Sequence, residues 1–245
     1  MTRRTLGWLL AAVAVVLSSA TPAAAGTAPL PAPSTVVVVG APGLAWTDVE
    51  PTVTPVLAGL VEDGATGSMT VRAVRSRSCA LDGWLTLSAG RRAADLPGPC
   101  REPGPVGADG RVPGWSDVER AAREASYGAT PGLLATRLVD AGACVRSVGR
   151  GAAVGAATTD GVVTDHAPGL PATFGCALTL VDGGALPTDD APRRAALAEL
   201  DALLGRVLDR LPDDGAVVVA GVGDGPSPIR PRLLLVAGTG PAELG

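Results

Sequence analysis

The stretch Ser78-Cys79-Ala80-Leu81-Asp82-Gly83-Trp84-Leu85-Thr86-Leu87-Ser88-Ala89-Gly90-Arg91-Arg92 decides how the chain is read. A small polar pair, Ser78-Cys79, is followed by residues at helical spacing, Leu81, Trp84, Leu85 and Ser88, and the run closes on Gly90 and two arginines. The pattern predicts a strand-to-helix elbow. Such an elbow places a hydroxyl or thiol over the unpaired N–H groups of a helix start, where an anionic group is also favoured. Capped helices after strands are ordinary in α/β proteins, so the rest of the chain supplies the context.

Before the elbow, Thr35-Val36-Val37-Val38-Val39 is a continuous β-branched run of the kind buried on both faces of a parallel sheet. It ends at Gly40-Ala41-Pro42-Gly43, which has neither the GxGxxG spacing nor the Lys of a phosphate-binding loop. Thr54-Pro55 opens a short helix through Val56, Leu57, Leu60 and Val61, with Gly64 past its end. Residues 68–74 alternate as a second strand that delivers the chain to the elbow. Beyond it, residues 93–114 are rich in Pro and Gly and read as a surface excursion pinned by Cys100.

A charged helix over 117–125 with Ser116 as N-cap comes next, then an amphipathic helix over 131–142 and a strand over 144–148. A strand over 177–182 and a long helix over 193–211 follow, the helix carrying Leu197, Leu200, Leu203, Leu204, Val207 and Leu211 on one face. Strands over 216–220 and 232–237 close the pattern. Strands alternating with helices imply one α/β domain with a mainly parallel sheet covered on both faces.

Composition narrows the function classes. The 245 residues are 47% hydrophobic but only 2% aromatic, so the core is built from Ala, Val and Leu. All 20 basic residues are Arg, and no Lys, Asn or Gln occurs, as a GC-rich genome would favour. No ammonium or carboxamide is therefore available to any site. A net charge of −4 and the lack of a basic, aromatic-laced stripe argue against nucleic-acid binding.

The first 25 residues read as a signal peptide: Arg3 and Arg4, an apolar run from Leu6 to Leu17, and Ala23-Ala24-Ala25 before Gly26. Residues 26–34 form a Pro-rich linker and 35–245 the domain, which is thus secreted or extracytoplasmic, with an uncleaved membrane anchor as the alternative. Four cysteines in an exported chain favour disulfides. Three pairings are open. Pairing sequence neighbours, Cys79 with Cys100 and Cys144 with Cys176, closes loops of modest length and is preferred, each bridge contributing about 3 kcal/mol.

The elbow with its Leu87-Ser88-Ala89-Gly90-Arg91 tail resembles the nucleophile segment of the alkaline phosphatase and sulfatase superfamily. Thr54-Pro55-Val56-Leu57-Ala58-Gly59-Leu60, Val148-Gly149-Arg150 and Leu200-Asp201-Ala202-Leu203-Leu204-Gly205-Arg206 resemble further landmarks of that family in the same order. The resemblance spans about residues 35–237. It implies a three-layer α/β sandwich whose closing part is missing here or belongs to a longer parent protein. It also implies a nucleophile at Cys79 or Ser78 and divalent ions that activate it.

The ligand pattern is depleted. Where the superfamily places an Asp after the first strand, this chain has Gly40, Ala41 and Pro42, with Asp48 a substitute only if the turn folds back. Asp182 and Asp224 match two later ligand positions, but neither is accompanied by the expected His. His166, the only histidine, reads as a solvated loop residue. Cys79 reads as nucleophile, half-cystine or buried thiol, and the export signal favours the half-cystine. It also departs from the Cys-x-Pro-x-Arg context of formylglycine sulfatases.

Arg77, Arg91 and Arg150 are the candidate anion-binding residues, with Arg150 where sulfatases carry Lys. The expectation is a catalytically degenerate domain without a cofactor, binding a small anionic ligand or a membrane or envelope protein partner. The alternative is a phosphate or sulfate ester hydrolase that uses Zn²⁺, Mg²⁺ or Ca²⁺ on substituted ligands.

Overall fold

A computed structural model describes residues 33–95, 97–224 and 232–238, with side chains to residue 234 in the last segment. The expected signal peptide and most of the linker lie outside the described residues. At the centre is β1 (Val36–Gly40), hydrogen-bonded in parallel to β5 (Leu178–Asp182) on one side and β6 (Ala216–Ala220) on the other. Beyond β5 lie β3 (Val145–Val148) and β4 (His166–Ala167), also parallel. Beyond β6 the sheet turns antiparallel through β7 (Arg232–Gly238) to β2 (Ala65–Met69) at the edge.

The three central strands end level. Gly40 stands opposite both Asp182 and Ala220, so the loops after β1, β5 and β6 meet at one rim.

The valines of β1 explain the layering. Val37 and Val39 are fully buried on one face with Leu57 and Leu60 of α1 (Pro55–Asp63) and Leu197, Leu200 and Leu204 of α6 (Asp190–Leu208). Val36 and Val38 point to the other face. There they meet the layer of α2 (Ala80–Ala89), α3 (Trp115–Glu124), α4 (Leu133–Asp140) and α5 (Arg150–Ala156). This is the expected α/β sandwich of three layers. Asp201 of α6 accepts the N–H groups of Val56 and Leu57 at 3.2 and 2.9 Å, so the long helix caps the start of α1.

Several local expectations are corrected. The second strand is 65–69, not 68–74, because its ladder with β7 runs only from Ala65 opposite Val236 to Met69 opposite Arg232. Residues 70–79 are irregular and bring Arg75 under the elbow. The cap of α3 is Gly114, with φ 71°, rather than Ser116. The long helix runs 190–208 rather than 193–211.

His166 lies on the short edge strand β4 rather than in a loop, still exposed, with its Nδ1 2.9 Å from Ser147 Oγ. Helix α5 was not expected from the sequence at all. Its Gly and Ala residues have mixed helix propensity, and tertiary packing decides its state, since six of its seven residues are buried.

Candidate functional site

The helical half of the elbow forms as read, but no strand leads directly into it, since residues 70–79 are irregular. Cys79 is the extended N-cap of α2, and Gly90 ends the helix in the left-handed conformation at φ 61°. Ser88, fully buried, accepts the Gly132 N–H at 2.9 Å and so ties the helix's tail to the start of α4. Cys79 is bonded to Cys100 and Cys144 to Cys176. In the first turn, Asp82 is fully buried and accepts the N–H groups of Cys79 and Asp95 at 3.0 and 2.9 Å. It is also ion-paired with Arg75 at 3.1 Å. Burial pushes its carboxyl above the ordinary 3.8, against the lowering effect of those two N–H donors and of Arg75.

Ser78 does not face solvent. Its N–H and Oγ both donate to Asp224 Oδ2 at 2.9 Å, and the Asp224 N–H returns a bond to the Ser78 carbonyl at 2.9 Å. The other Asp224 oxygen pairs with Arg232 at 3.1 Å. Arg232 is wholly buried and also donates to the carbonyls of Asp224 at 3.2 Å and Gly43 at 2.8 Å. One guanidinium therefore joins the turn after β1 to the loop after β6, while the carboxylate between them holds the elbow. Arg232 is a residue the sequence reading missed, and its only signal there was a charge opening the apolar run Leu233-Leu234-Leu235.

Asp182 sits at the end of β5 and accepts the Gly151 N–H at 2.7 Å and the Gly184 N–H at 3.1 Å. It thereby satisfies a free donor in the first turn of α5. Asp48 is buried in a two-pronged pair with Arg193, at 2.9 and 2.6 Å, and Arg193 also donates to the Gly43 carbonyl at 3.1 Å, so the Asp48 carboxylate is held by a guanidinium rather than presented as a ligand. Arg91 lies beyond the far end of α2, about 18 Å along the helix direction from Cys79, and does not join the elbow. Arg77 is exposed beside it.

Beside the start of α2 is an open cavity of about 270 Å³ lined by Pro42, Ala80, Trp84, Glu102, Arg150 and Asp182, among others. It lies at the carboxyl rim of the sheet. Arg150 is exposed and Glu102 faces it from the 97–114 excursion. The floor is Trp84, buried in a slot left by glycines. A Cβ on Gly40 would stand 2.5 Å from the indole Cη2, and one on Gly155 3.0 Å from Cε3. A side chain at position 40 would therefore displace the indole. Among the described residues, no three Cys, His, Asp or Glu side chains converge as a metal site. A divalent ion bound here would have the oxygens of Asp182 and Glu102 to hold it.

No known family model matches the chain, and no curated protein does. Among solved structures it is similar to a protein of Pyrococcus horikoshii, with 13% identity over 85% of this chain and 86% of that one, TM-score 0.44. It is similar to murine ectonucleotide pyrophosphatase/phosphodiesterase 5, solved in an inactive form with AMP, with 16% identity over 76% of this chain and 56% of that one, TM-score 0.48. A third is a protein of the alkaline phosphatase superfamily from Vibrio parahaemolyticus, with 12% identity over 85% and 61%, TM-score 0.46. The chain spans less than two thirds of the last two. All three identities lie below 25% and all three TM-scores below 0.5, so nothing about this chain's activity or ligands follows from them.

Proposed function

We infer that this is a non-hydrolytic extracytoplasmic domain with a binding or structural role at the cell envelope. Its remaining ligand site is the Arg150 cavity, where a small oxyanion is held beside the start of α2. The observation that carries this reading is the knot of Ser78, Asp224 and Arg232. A hydroxyl that attacks an ester needs a free lone pair and a base or metal to take its proton. Here Ser78 donates to a carboxylate that is itself neutralised by a buried guanidinium, and Cys79 is a half-cystine.

Transfer of a phosphate or sulfate ester also builds negative charge on the non-bridging oxygens, which metal ions or cationic clamps offset. In this cavity one guanidinium stands beside two carboxylates. That set can orient an anion through Arg150 and the helix start but supplies no activated nucleophile. Two disulfides fit the oxidising compartment that the export signal implies. Among the described residues, no helix is long and apolar enough to cross a membrane.

The second reading, a metal-dependent ester hydrolase with substituted ligands, draws on Asp182 and Glu102 lining the same cavity. The deciding experiment measures hydrolysis of aryl phosphate, phosphodiester and sulfate substrates with added Zn²⁺, Mg²⁺, Mn²⁺ or Ca²⁺, beside thermal stabilisation by inorganic sulfate and phosphate. The expected result is no metal-dependent turnover and a salt-sensitive stabilisation that Arg150→Ala removes. A metal-dependent rate that collapses in folded Asp182→Asn protein would establish the hydrolase instead.

A further inference from the structure

The two disulfides are alike in having one exposed and one buried cysteine, Cys100 with Cys79 and Cys144 with Cys176. They differ in what surrounds the buried sulfur. We propose that Cys79–Cys100 is a thiol–disulfide exchange site, opened by an external dithiol that attacks Cys100, while Cys144–Cys176 is a structural bridge. The site is independent of the anion-binding reading, since exchange requires no ligand at Arg150.

Three observations support the assignment. Cys79 is the N-cap of a ten-residue helix, so a thiolate leaving at this position faces the positive end of the peptide dipoles. The Asp82 carboxylate near it opposes that effect but is ion-paired with Arg75, and Arg77 and Arg101 flank the two cysteines, Arg101 being paired with Asp95. Glu102 is the remaining acid beside Cys100 and is solvent-exposed. At the other bridge, Cys176 Sγ lies 4.0 Å from a carboxylate oxygen of Asp165, which Arg146 pairs at 2.8 Å, and no helix starts there.

The third observation concerns recapture. Cys144 and Cys176 are held by the sheet: the Leu178 N–H reaches the Cys144 carbonyl at 3.4 Å, and Thr35 Oγ1 donates to the Cys176 carbonyl. A cleaved pair there stays in register and closes again. Cys100 lies in a stretch without regular secondary structure, so its sulfur can leave Cys79 once the bond breaks.

The chemistry is a two-electron exchange. A reductant thiolate forms a bond to Cys100 Sγ as the Cys79–Cys100 bond breaks, and the electron pair departs with Cys79 as a thiolate. The second thiol of the dithiol, deprotonated, then attacks the mixed disulfide and releases Cys100 as a thiolate, leaving the reductant as a disulfide. Opening frees a wall of the rim, because Glu102 and Pro103 line both the Arg150 cavity and a neighbouring apolar cavity of about 220 Å³ against Leu81, Trp115 and Val154. The exchange would thus widen access to the start of α2.

The test treats the oxidised full chain with graded dithiothreitol, quenches with acid at intervals, alkylates and maps the cysteines by mass. Cys79 and Cys100 should be labelled roughly tenfold faster than Cys144 and Cys176. Glutathione, a monothiol, should be trapped on Cys100 with Cys79 alkylated. The Cys79 and Cys100 rate should not change in urea below the unfolding transition. Equal rates at the two bridges, a glutathione adduct on Cys79, or a rate that climbs with the unfolded population would each overturn the assignment.

Discussion

Two parts of one rim, one after β6 and the other after β3, have opposite characters. Around Asp224 the charges are buried and paired, and 146 residues of sequence separate the partners Ser78 and Asp224. Around Arg150 the guanidinium is exposed in an open cavity whose acidic neighbours either cap a helix, as Asp182 does, or face solvent, as Glu102 does. A charge that is both buried and paired acts on folding, and one left at an open rim stays accessible from solvent. Position near a sheet's carboxyl end does not by itself separate the two.

The sharpest way to break this comparison is to remove the closed side. Asp224→Ala removes the carboxylate that is ion-paired with the buried Arg232 guanidinium and should lower stability by about 3–5 kcal/mol, read from urea unfolding. Loss below 1 kcal/mol would mean the pair is no anchor. Ser78→Ala deletes one of several donors to the same carboxylate and should cost about 1–3 kcal/mol, with the native fold retained by circular dichroism. A Ser78→Ala protein as stable as the parent would count against the bond as a structural one.

The Asp82 carboxyl tests the closed side through pH. Its pKa is raised in the folded protein, so between the ordinary 3.8 and that raised value the folded state holds a proton that the unfolded chain has released. Stability from this group is fully present below 3.8 and is lost as pH rises through the folded value. Asp82→Asn should flatten that part of the stability-against-pH curve. An unchanged curve in a folded variant would assign the dependence elsewhere.

The smallest expected effect on folding comes from the open side. Arg150→Ala should change stability by less than about 0.5 kcal/mol while abolishing stabilisation by added sulfate. A marked loss of stability would show that Arg150 belongs with the structural pairs.

Much of the architecture was legible in the chain. Val36 to Val39, the elbow at Ser78-Cys79 and the leucines of α6 announce themselves because strand and helix periodicities, caps and terminal glycines are local signals. Local signals failed where neighbours decide. The alternation over 68–74 suggested a strand, but a strand needs a partner, and the β7 ladder ends at Met69. The Gly- and Ala-rich α5 carried no strong helix pattern, yet its glycines let Trp84 and Leu180 pack against it.

By itself, then, the sequence determined the order of the longer strands and helices, the helix that opens at Cys79 and the identities of the charged groups, since these follow from short-range pattern and composition. Only the tertiary structure decided what those groups do. It gave Asp224 to Ser78 and Arg232, Asp48 to Arg193 and Asp182 to the start of α5, and left Arg150 facing the cavity. The physical reason is that the role of a charge depends on its desolvation and its partners, and both are set by chain segments far apart in sequence.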